Sequence, residues 1–398
     1  MSKKPTALIV GTGIGGLSCG IALKKIGWSV QFFEKSDSLR TTGSGLSVMS
    51  NASAAMKTLL DIDLKLEKYG AEIRNFEIRH KSGLLLKRLP FQEIAQEQGA
   101  PSVCLSRHNL QQALLDQLGE ADIFFNARID RFLETEDAVQ VSLADGTTCS
   151  GDILIGADGY YSAVRDAIKT ESVIHEAGYI CWLSLVKYAA SQITLGYVVH
   201  YWGEGKRIGI IDIGGGWVYW WGTANMSNQE AQGWTGTNKD VAAVYSGWPD
   251  IVKNIILATP SDAILTVDAK DRSFPEIWTR GRVTLLGDAA HPMLTSLGQG
   301  AGMAIEDAAV LAYALKNTDD YGAALRNYEE MRKPRARSIA NASRALSDVE
   351  QYDRFVPRLK RDIGMLLAPK DAMRERLRES LWFDSQWVKN SFHPKSSL

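Results

Sequence analysis

A glycine-rich turn near the start of the chain limits the fold more than any other feature. Residues 6–10 (TALIV) form a short apolar run, which is typical of a parallel strand covered on both faces. Residues 11–16 (GTGIGG) follow directly, then a helical pattern, and then a second apolar run over residues 28–33 that Glu34 closes. This order of strand, turn, helix, strand and acid predicts a parallel α/β sheet that binds a dinucleotide.

Each glycine of this turn has a predicted role. Gly11 permits the tight turn, Gly13 lets the backbone approach a pyrophosphate, and Gly16 lets the helix pack on the strand. Glu34 is expected to accept hydrogen bonds from ribose hydroxyls, and an acid there favours FAD or NAD over NADP. The open alternative is a glycine-rich turn without a ligand. The residues predicted to bind the dinucleotide in this unit are Gly11, Gly13, Ile14, Gly15, Gly16, Glu34 and Lys35.

The composition argues against several classes of protein. Of the 398 residues, 45% are hydrophobic, which suffices for a buried core, and the net charge of −1 argues against a nucleic-acid-binding protein. No uncharged apolar run approaches the ~18 residues of a membrane span. The four cysteines and six histidines lack metal-ligand spacing, so we expect no metal site. Because no secretion signal is visible and the cysteines are isolated, we expect a cytoplasmic protein.

Three further motifs appear later in the chain. Residues 156–165 (GADGYYSAVR) and residues 287–292 (GDAAHP) each follow an apolar run. Asp288 ends its predicted strand, where a carboxylate can accept hydrogen bonds from ligand hydroxyls. Residues 298–302 (GQGAG) carry little side chain, so their backbone can approach a flat ring, and they open a helix whose positive end would face that ring.

These motifs, in this order over residues 5–345, resemble the FAD-dependent aromatic monooxygenases of group A, the para-hydroxybenzoate hydroxylase superfamily. The similarity is to the branch with salicylate hydroxylase, 6-hydroxynicotinate 3-monooxygenase and FAD-dependent urate hydroxylase. The resemblance implies an α/β fold: a Rossmann-like (glutathione-reductase-type) FAD-binding domain, an interleaved antiparallel-sheet substrate domain, and C-terminal helices. It also implies that NAD(P)H reduces FAD, that oxygen adds to give a C4a-hydroperoxide, and that one oxygen atom passes to the substrate.

The resemblance assigns residues to domains and to the cofactor. The FAD-binding domain is predicted over residues 1–75, 101–175 and 271–345, the substrate domain over 76–100 and 176–270, and a C-terminal helical region over 346–398. Further cofactor-binding residues implied by the family are Ser44, Arg107, Ile129, Asp158, Asp288, Gly298, Gln299, Gly300, Ala301 and Gly302. NAD(P)H is expected to bind transiently as co-substrate, because the chain has only one Gly-x-Gly-x-x-Gly motif.

Alternatives stay open for several of these residues. Asp158 is linked by the family to FAD and nicotinamide use, but Asp-Gly also favours a local turn. Arg107 resembles an arginine that contacts the cofactor, and otherwise it is a solvated charge at a helix start. Glu306 and Asp307 lie in the first turn of a predicted helix, where acids suit the helix dipole, so we interpret them as helix formers.

The substrate side rests on the strand-like run 217–221. Period-two alternation places Trp217, Tyr219 and Trp221 on one face, and Arg207 precedes Tyr219 at the spacing that the urate hydroxylase resemblance implies for substrate-facing residues. An ordinary sheet core is the alternative, and His200 is interpreted as structural. The predicted catalytic residues are Arg207, Tyr219 and Pro292, the last near the flavin's reactive edge. The predicted pocket residues are Ser47, Met49, Trp182, Tyr201, Trp217 and Trp221.

Departures from the family point to the substrate class. Some relatives place a histidine where this chain has Ser47 and Met49, and a common Trp-Arg pair is Trp182-Leu183 here. Both changes remove polar groups, so we expect a fairly apolar aromatic or heteroaromatic substrate, oxygenated with O2 by a monomer or homodimer. The alternatives are Baeyer–Villiger or epoxidising chemistry on the same scaffold, a flavin-dependent reductase without oxygen incorporation, and a non-catalytic flavin-binding protein.

Overall fold

A computed structural model describes residues 4–39 and 44–392. Its strands, in chain order, are β1 (Thr6–Val10), β2 (Ser29–Phe33), β3 (Gly45–Val48), β4 (Ala71–Glu72), β5 (Asn75–His80), β6 (Leu85–Leu89), β7 (Val103–Ser106), β8 (Asp122–Phe124), β9 (Ile129–Glu134), β10 (Val139–Leu143), β11 (Thr148–Gly151), β12 (Ile153–Gly156), β13 (Ile174–Lys187), β14 (Tyr197–Trp202), β15 (Lys206–Asp212), β16 (Trp217–Asn225), β17 (Leu265–Arg272), β18 (Thr279–Arg280) and β19 (Val283–Leu285).

The helices alternate with these strands in the first part of the chain and dominate its end. They are α1 (Ile14–Lys25), α2 (Ser50–Leu60), α3 (Phe91–Gln98), α4 (Arg107–Leu118), α5 (Ala163–Ala167), α6 (Asn228–Gln232), α7 (Asn238–Val244), α8 (Asp250–Leu257), α9 (Gly300–Lys316), α10 (Tyr321–Glu350), α11 (Phe355–Leu367), α12 (Lys370–Leu381) and α13 (Ser385–Phe392).

The first sheet brings the separate motifs to one edge. Its order is β18-β19-β12-β1-β2-β8, and β19, β12, β1, β2 and β8 run parallel. The register pairs Val10 with Gly156 and Gly156 with Leu285, so β1, β12 and β19 end side by side. Because the carboxyl ends of parallel strands share an edge, the turns after these strands are neighbours. The predicted parallel α/β unit is confirmed.

The second large sheet has seven strands in the order β17-β13-β16-β15-β14-β5-β6. The predicted antiparallel sheet is confirmed, and one pair of neighbours, β14 and β5, runs parallel. The helices α6, α7 and α8 were not predicted. Apolar residues of α7 and α8 join the core under one face of this sheet. The opposite face therefore remains for other contacts.

The sequence pattern of residues 302–316 predicts a helix with Ile305, Ala308, Ala312 and Leu315 on one face. The helix is present as α9, but residues 302–315 are buried on all sides and not on one face alone. The reason is that α1, α2 and α10 pack around this helix. A helix surrounded in this way is normally apolar on every side. The two acids that α9 buries, Glu306 and Asp307, therefore need partners inside the protein.

Candidate functional site

The turn between β1 and α1 leaves a helix N-terminus open. Gly11 has φ +98°, and a Cβ there would lie 2.6 Å from the carbonyl oxygen of Ala157, so only glycine fits. A Cβ on Gly13 would have no atom of the described chain within 4 Å, and no side chain of the described residues caps the helix at Gly13. The free amides of Ile14 and its neighbours thus face space that a phosphate group fits.

Glu34 lies beside this turn at the end of β2. Its carboxylate accepts hydrogen bonds from the Thr12 amide (3.0 Å), the Thr12 hydroxyl (2.8 Å) and the Ser36 amide (3.0 Å). Burial by itself would raise the pKa of Glu34, but these hydrogen bonds outweigh it and hold the pKa below its usual value. Lys35 is exposed, and Gly15 packs closely against Leu286, which gives this glycine a packing role as well.

In the turn after β12, Asp158 makes local hydrogen bonds. Its carboxylate accepts hydrogen bonds from the Ser162 hydroxyl (2.5 Å) and the Ala163 amide (2.7 Å), so it caps the short helix α5. These contacts support the alternative of local turn chemistry, and the role of Asp158 toward a cofactor stays a prediction. Arg165 is buried and donates to the carbonyls of Tyr160 (2.8 Å) and Ala289 (3.2 Å), which ties this turn to the turn containing Asp288.

Asp288 and the 298–302 loop form a second open site. The Asp288 carboxylate is exposed and has no hydrogen bond or ion pair within the described part of the chain. A Cβ on Gly300 would lie 3.9 Å from Asp288 Oδ1, so the two motifs adjoin. Gly298 has φ +63°, and α9 starts at Gly300 without a side-chain cap from residues 4–39 or 44–392. Ala301 and Gly302 continue this first turn of α9.

The remaining predicted cofactor residues lie before β3, at the start of α4, at the start of β9 and before α9. The Arg107 amide at the start of α4 donates to the Ser44 carbonyl (2.9 Å), so the two predicted residues are neighbours. Ile129 begins β9 and packs against the core of the first sheet. Gln299 is buried and donates to the Ser380 carbonyl (3.0 Å), which joins the 298–302 loop to the C-terminal helices.

Glu306 and Asp307 are not simple helix formers, and that interpretation was wrong. Both are fully buried, and Arg332 lies between them with donor distances of 2.6 Å to Glu306 and 2.7 Å to Asp307. Arg335 (2.7 Å) and Asn51 (2.7 Å) also donate to Glu306. Burial raises the pKa of Glu306, and the two arginines outweigh it and lower that pKa. Two adjacent acids inside an apolar helix were the sequence signal for this network.

Asp307 connects the network to the Gly287–His291 turn. Its carboxylate accepts from the Gly287 amide (3.0 Å) and lies 2.5 Å from His291 Nε2. Burial opposes ionisation, but His291 and Arg332 overcome it and lower the pKa of Asp307 to about 2. A charged Asp307 thus positions the turn that carries Asp288, and Pro292 is buried directly after it.

The second sheet presents Tyr219, Trp221 and Arg207 toward the same side. The alternation predicted for β16 is confirmed, because Tyr219 and Trp221 are partly exposed while Val218 and Trp220 between them are buried. Tyr219 packs directly on Gly45 of β3. On the neighbouring segment Ser47 contacts Cys104 (3.2 Å between oxygen and sulfur), and Met49 lies 3.5 Å from a Cβ placed on Gly298. Trp217 is exposed at the strand end.

Trp182 and Tyr201 do not belong to this face, so their predicted place in the pocket is wrong. In the strand register Trp182 lies opposite Gly222, and Tyr201 lies opposite Ile208. Because side chains alternate between faces, both point to the core shared with Trp220. A one-residue difference in position decides which side of the sheet a residue occupies.

Arg207 has an internal partner that the sequence did not reveal. Its guanidinium pairs with the buried carboxylate of Glu350, donates to the Ser296 hydroxyl (3.2 Å), and lies 4.8 Å from the ring centre of Trp221. Burial lowers the pKa of Arg207, and the Glu350 charge outweighs it and keeps the arginine protonated. Arg207, predicted as a catalytic residue, thus has a charge partner within the chain next to the 298–302 loop, and its role toward a substrate stays a prediction.

His200 lies on the same sheet face, between the rings of Phe76 (4.7 Å) and Trp221 (4.8 Å). Burial and the nearby Arg207 lower the pKa of His200 from 6.5 to about 3, so it is neutral in the folded protein. In the unfolded chain His200 takes up a proton near its ordinary pKa of 6.5, whereas in the folded protein it does so only near pH 3. His200 therefore does not lower the stability of the folded state above about pH 6.5, and it lowers that stability progressively as the pH falls from 6.5 towards 3.

We therefore expect the free energy of unfolding to fall by up to about 1.4 kcal/mol per pH unit over this range through His200. Urea unfolding of the wild type and of His200→Phe, which keeps an aromatic ring, measures the difference. As the pH falls, the unfolding free energy of His200→Phe should increase relative to that of the wild type, because phenylalanine takes up no proton. Parallel pH curves would contradict a neutral, buried His200.

The comparisons with known proteins agree with this geometry. Residues 4–343 match the family described as FAD binding domain. Aurachin C monooxygenase/isomerase of Stigmatella aurantiaca is 34% identical over 95% of this chain and 98% of its own length. The 2-heptyl-3-hydroxy-4(1H)-quinolone synthase of Pseudomonas aeruginosa is 34% identical over 77% of this chain and 80% of its own. The crystal structure of Klebsiella pneumoniae HpxO with FAD and uric acid superposes with a TM-score of 0.86 at 27% identity, covering 95% and 96% of the two chains.

Within residues 4–39 and 44–392, no helix combines the length and apolarity needed to cross a bilayer. In the same residues, no group of three or more His, Cys, Asp or Glu side chains is arranged to hold a metal ion.

Proposed function

The chain belongs to the FAD binding domain family and is an FAD-dependent monooxygenase with the expected Rossmann-like fold. From this premise we propose that it uses NAD(P)H and O2 to insert one oxygen atom into an uncharged aromatic or heteroaromatic compound. The observation that carries this proposal is the Asp288 carboxylate, unpaired among the described residues, beside the start of α9, where a Cβ on Gly300 would lie 3.9 Å from Asp288 Oδ1. The start of α1 at Gly13 likewise has no side-chain cap from the described residues.

The residues of the chain fit FAD in the following way. The amides at the start of α1 would hold the pyrophosphate, Glu34 the adenosine ribose, and Asp288 the hydroxyls of the ribityl chain. The N-terminus of α9 would stabilise negative charge on the ring system. When bound, FAD supplies electron transfer from NAD(P)H and the activation of oxygen. The chain itself has to hold the substrate in place and exclude water.

Three observations support the substrate class. Tyr219 and Trp221 offer a flat aromatic surface with neutral hydrogen-bonding groups, and His200 beside them is uncharged. The positive charge of Arg207, which lies on this face next to Trp221, is compensated by Glu350. The names of the relatives include a 4(1H)-quinolone and uric acid, both heteroaromatic. An uncharged ring of this kind needs no counter-ion from the protein.

The test is oxygen labelling with the purified holoenzyme. Its visible spectrum reports bound flavin, and a screen of aromatic compounds identifies those that stimulate NAD(P)H oxidation. With labelled O2 we expect one labelled atom in the product, and NMR of the product separates ring hydroxylation from epoxidation or Baeyer–Villiger insertion. Asp288→Ala is expected to lose flavin and serves as the inactive control. Asp262→Ala replaces another exposed aspartate, away from the proposed site, and should keep flavin and activity. NAD(P)H-dependent product without label would show a reductase and overturn the proposal.

Glu350→Gln is expected to change the charge preference of the site. With the carboxylate gone, Arg207 can pair with a substrate carboxylate, so an anionic aromatic acid should bind about 10- to 100-fold more tightly relative to its neutral amide. Calorimetric titration of the holoenzyme with naphthoate and naphthamide measures the ratio. The double variant R207Q/E350Q should return the ratio to that of the wild type, whereas a purely structural role for Glu350 would weaken both ligands alike.

A further inference from the structure

Helix α11 carries its apolar side chains toward solvent. Along Phe355–Leu367, exposed hydrophobic residues recur three to four positions apart and form one continuous stripe. Phe355 is 65% exposed and Leu367 is 73% exposed. We call this stripe the apolar face of α11, and its members are Phe355, Val356, Leu359, Ile363, Leu366 and Leu367.

The orientation of α11 is held by charged residues on its opposite side. Arg361 is buried, donates to the carbonyls of Gly203 (3.4 Å) and Glu350 (3.3 Å), and lies over the ring of Trp202 at 5.4 Å. Arg358, one turn away, pairs with Glu204. The arginine side chains of α11 thus contact the protein, while its apolar side chains face solvent. This arrangement is the reverse of that in an ordinary surface helix. Rotating α11 inward would break these contacts, so the outward apolar face is built into the fold.

We propose that the apolar face of α11 binds the surface of a lipid bilayer, with the helix lying in the plane of the interface. A helix of this type buries its apolar face at the boundary between head groups and acyl chains. Arg354, Lys360 and Lys370 are exposed at its edges, where their side chains can reach lipid phosphates, while Asp353 and Asp371 are exposed near its ends. Because these charges nearly cancel, apolar burial dominates the binding.

The size of the face favours a bilayer over a second copy of the chain. Thirteen residues of helix are about 20 Å long, so a stripe one helix wide offers roughly 200–400 Å². A stable dimer needs about 800 Å² from each partner. A convex single helix also presents no groove for another helix, whereas it can insert side chains into a fluid surface without a matching shape.

The location of α11 connects this surface to the proposed active site. Arg361 contacts the Glu350 carbonyl, and the Glu350 carboxylate pairs with Arg207 on the aromatic sheet face. A bilayer bound at α11 would thus lie near the proposed substrate site, where an apolar substrate dissolved in lipid is concentrated. Binding to the bilayer itself does not depend on the proposed oxygenation reaction.

Vesicle sedimentation of the FAD-loaded full chain tests the proposal. The probes are sucrose-loaded vesicles of phosphatidylcholine, alone and with added phosphatidylglycerol. We expect the wild type to sediment with both, with a modest preference for the anionic lipid. The variant F355S/L359S/L366S should bind at least about tenfold more weakly, because three inserted side chains are lost.

A matched control uses three hydrophobic residues that are 59–61% exposed outside α11, in the variant L84S/L133S/L195S, which should sediment like the wild type. Flavin content and circular dichroism establish that all three proteins are folded. Wild-type protein that stays in the supernatant overturns the proposal, as does equal loss of binding in both variants. A dimer that the α11 variant alone dissociates, without vesicle binding, would assign the face to a second copy instead.

Discussion

Replacing Arg332 by methionine is expected to lower the free energy of unfolding by about 3–5 kcal/mol, the range for breaking a buried ion pair by removing one partner. Arg332 is the shared partner of the buried carboxylates of Glu306 and Asp307. Methionine keeps much of the side-chain volume, so the loss reflects charge and hydrogen bonding. Urea unfolding followed by circular dichroism at fixed FAD concentration measures it.

The control lies on the same helix. Arg337 pairs with Glu276 at the surface, and exposed pairs of this kind contribute about 0–1 kcal/mol. Arg337→Met should therefore leave the unfolding midpoint almost unchanged. Arg332→Met should in addition weaken FAD binding, because Asp307 positions the Gly287 amide and His291. Equal effects of the two substitutions would contradict the importance of the buried network.

Replacing Gly13 by alanine is expected to weaken FAD binding by roughly 5- to 150-fold, the equivalent of 1–3 kcal/mol of overpacking. A Cβ at Gly13 meets no described atom of the chain, and its backbone is extended at φ −69°, so the substitution is not strained in the protein alone. The added methyl group would occupy only the space assigned to the pyrophosphate. Fluorescence titration with FAD gives the affinity, and the melting temperature of the FAD-free protein should not change.

Gly364→Ala in α11 provides the comparison. A Cβ there also has no described atom within 4 Å, but Gly364 lies far along the chain from the dinucleotide turn. This variant should bind FAD like the wild type and gain up to about 1 kcal/mol of stability from the better helix former. If Gly13→Ala bound FAD with wild-type affinity, the pyrophosphate would not lie over this turn.

Much of the cofactor side could be predicted because it depends on short-range patterns. Gly11, Gly13 and Glu34 lie within one βαβ unit, where the spacing of strand, turn and helix determines which backbone groups face a ligand. The same reasoning placed Asp288 at a strand end. The sequence left two roles open for Asp158, capping a local helix and contacting a ligand, because its contacts with Ser162 and Ala163 are visible only in the structure.

The buried charges could not be paired from the sequence. Arg207 and Glu350 lie 143 residues apart, and Asn51 reaches Glu306 across 255 residues. Period two predicted that Trp217, Tyr219 and Trp221 share a face, but not that Trp182 and Tyr201 lie on the other face. That requires the register between strands, which is set by distant pairing such as Trp182 opposite Gly222.

The dinucleotide turn, the order of the strand-end motifs and the family could all be predicted from the residues, because these features depend on residue types at short, regular spacing. Three features became visible only in the fold: Arg207 is neutralised by Glu350, Asp307 joins the buried charge network to the Gly287–His291 turn, and α11 turns its apolar face outward. Periodicity states which residues share a face, whereas the partner of that face depends on contacts between segments far apart in the chain.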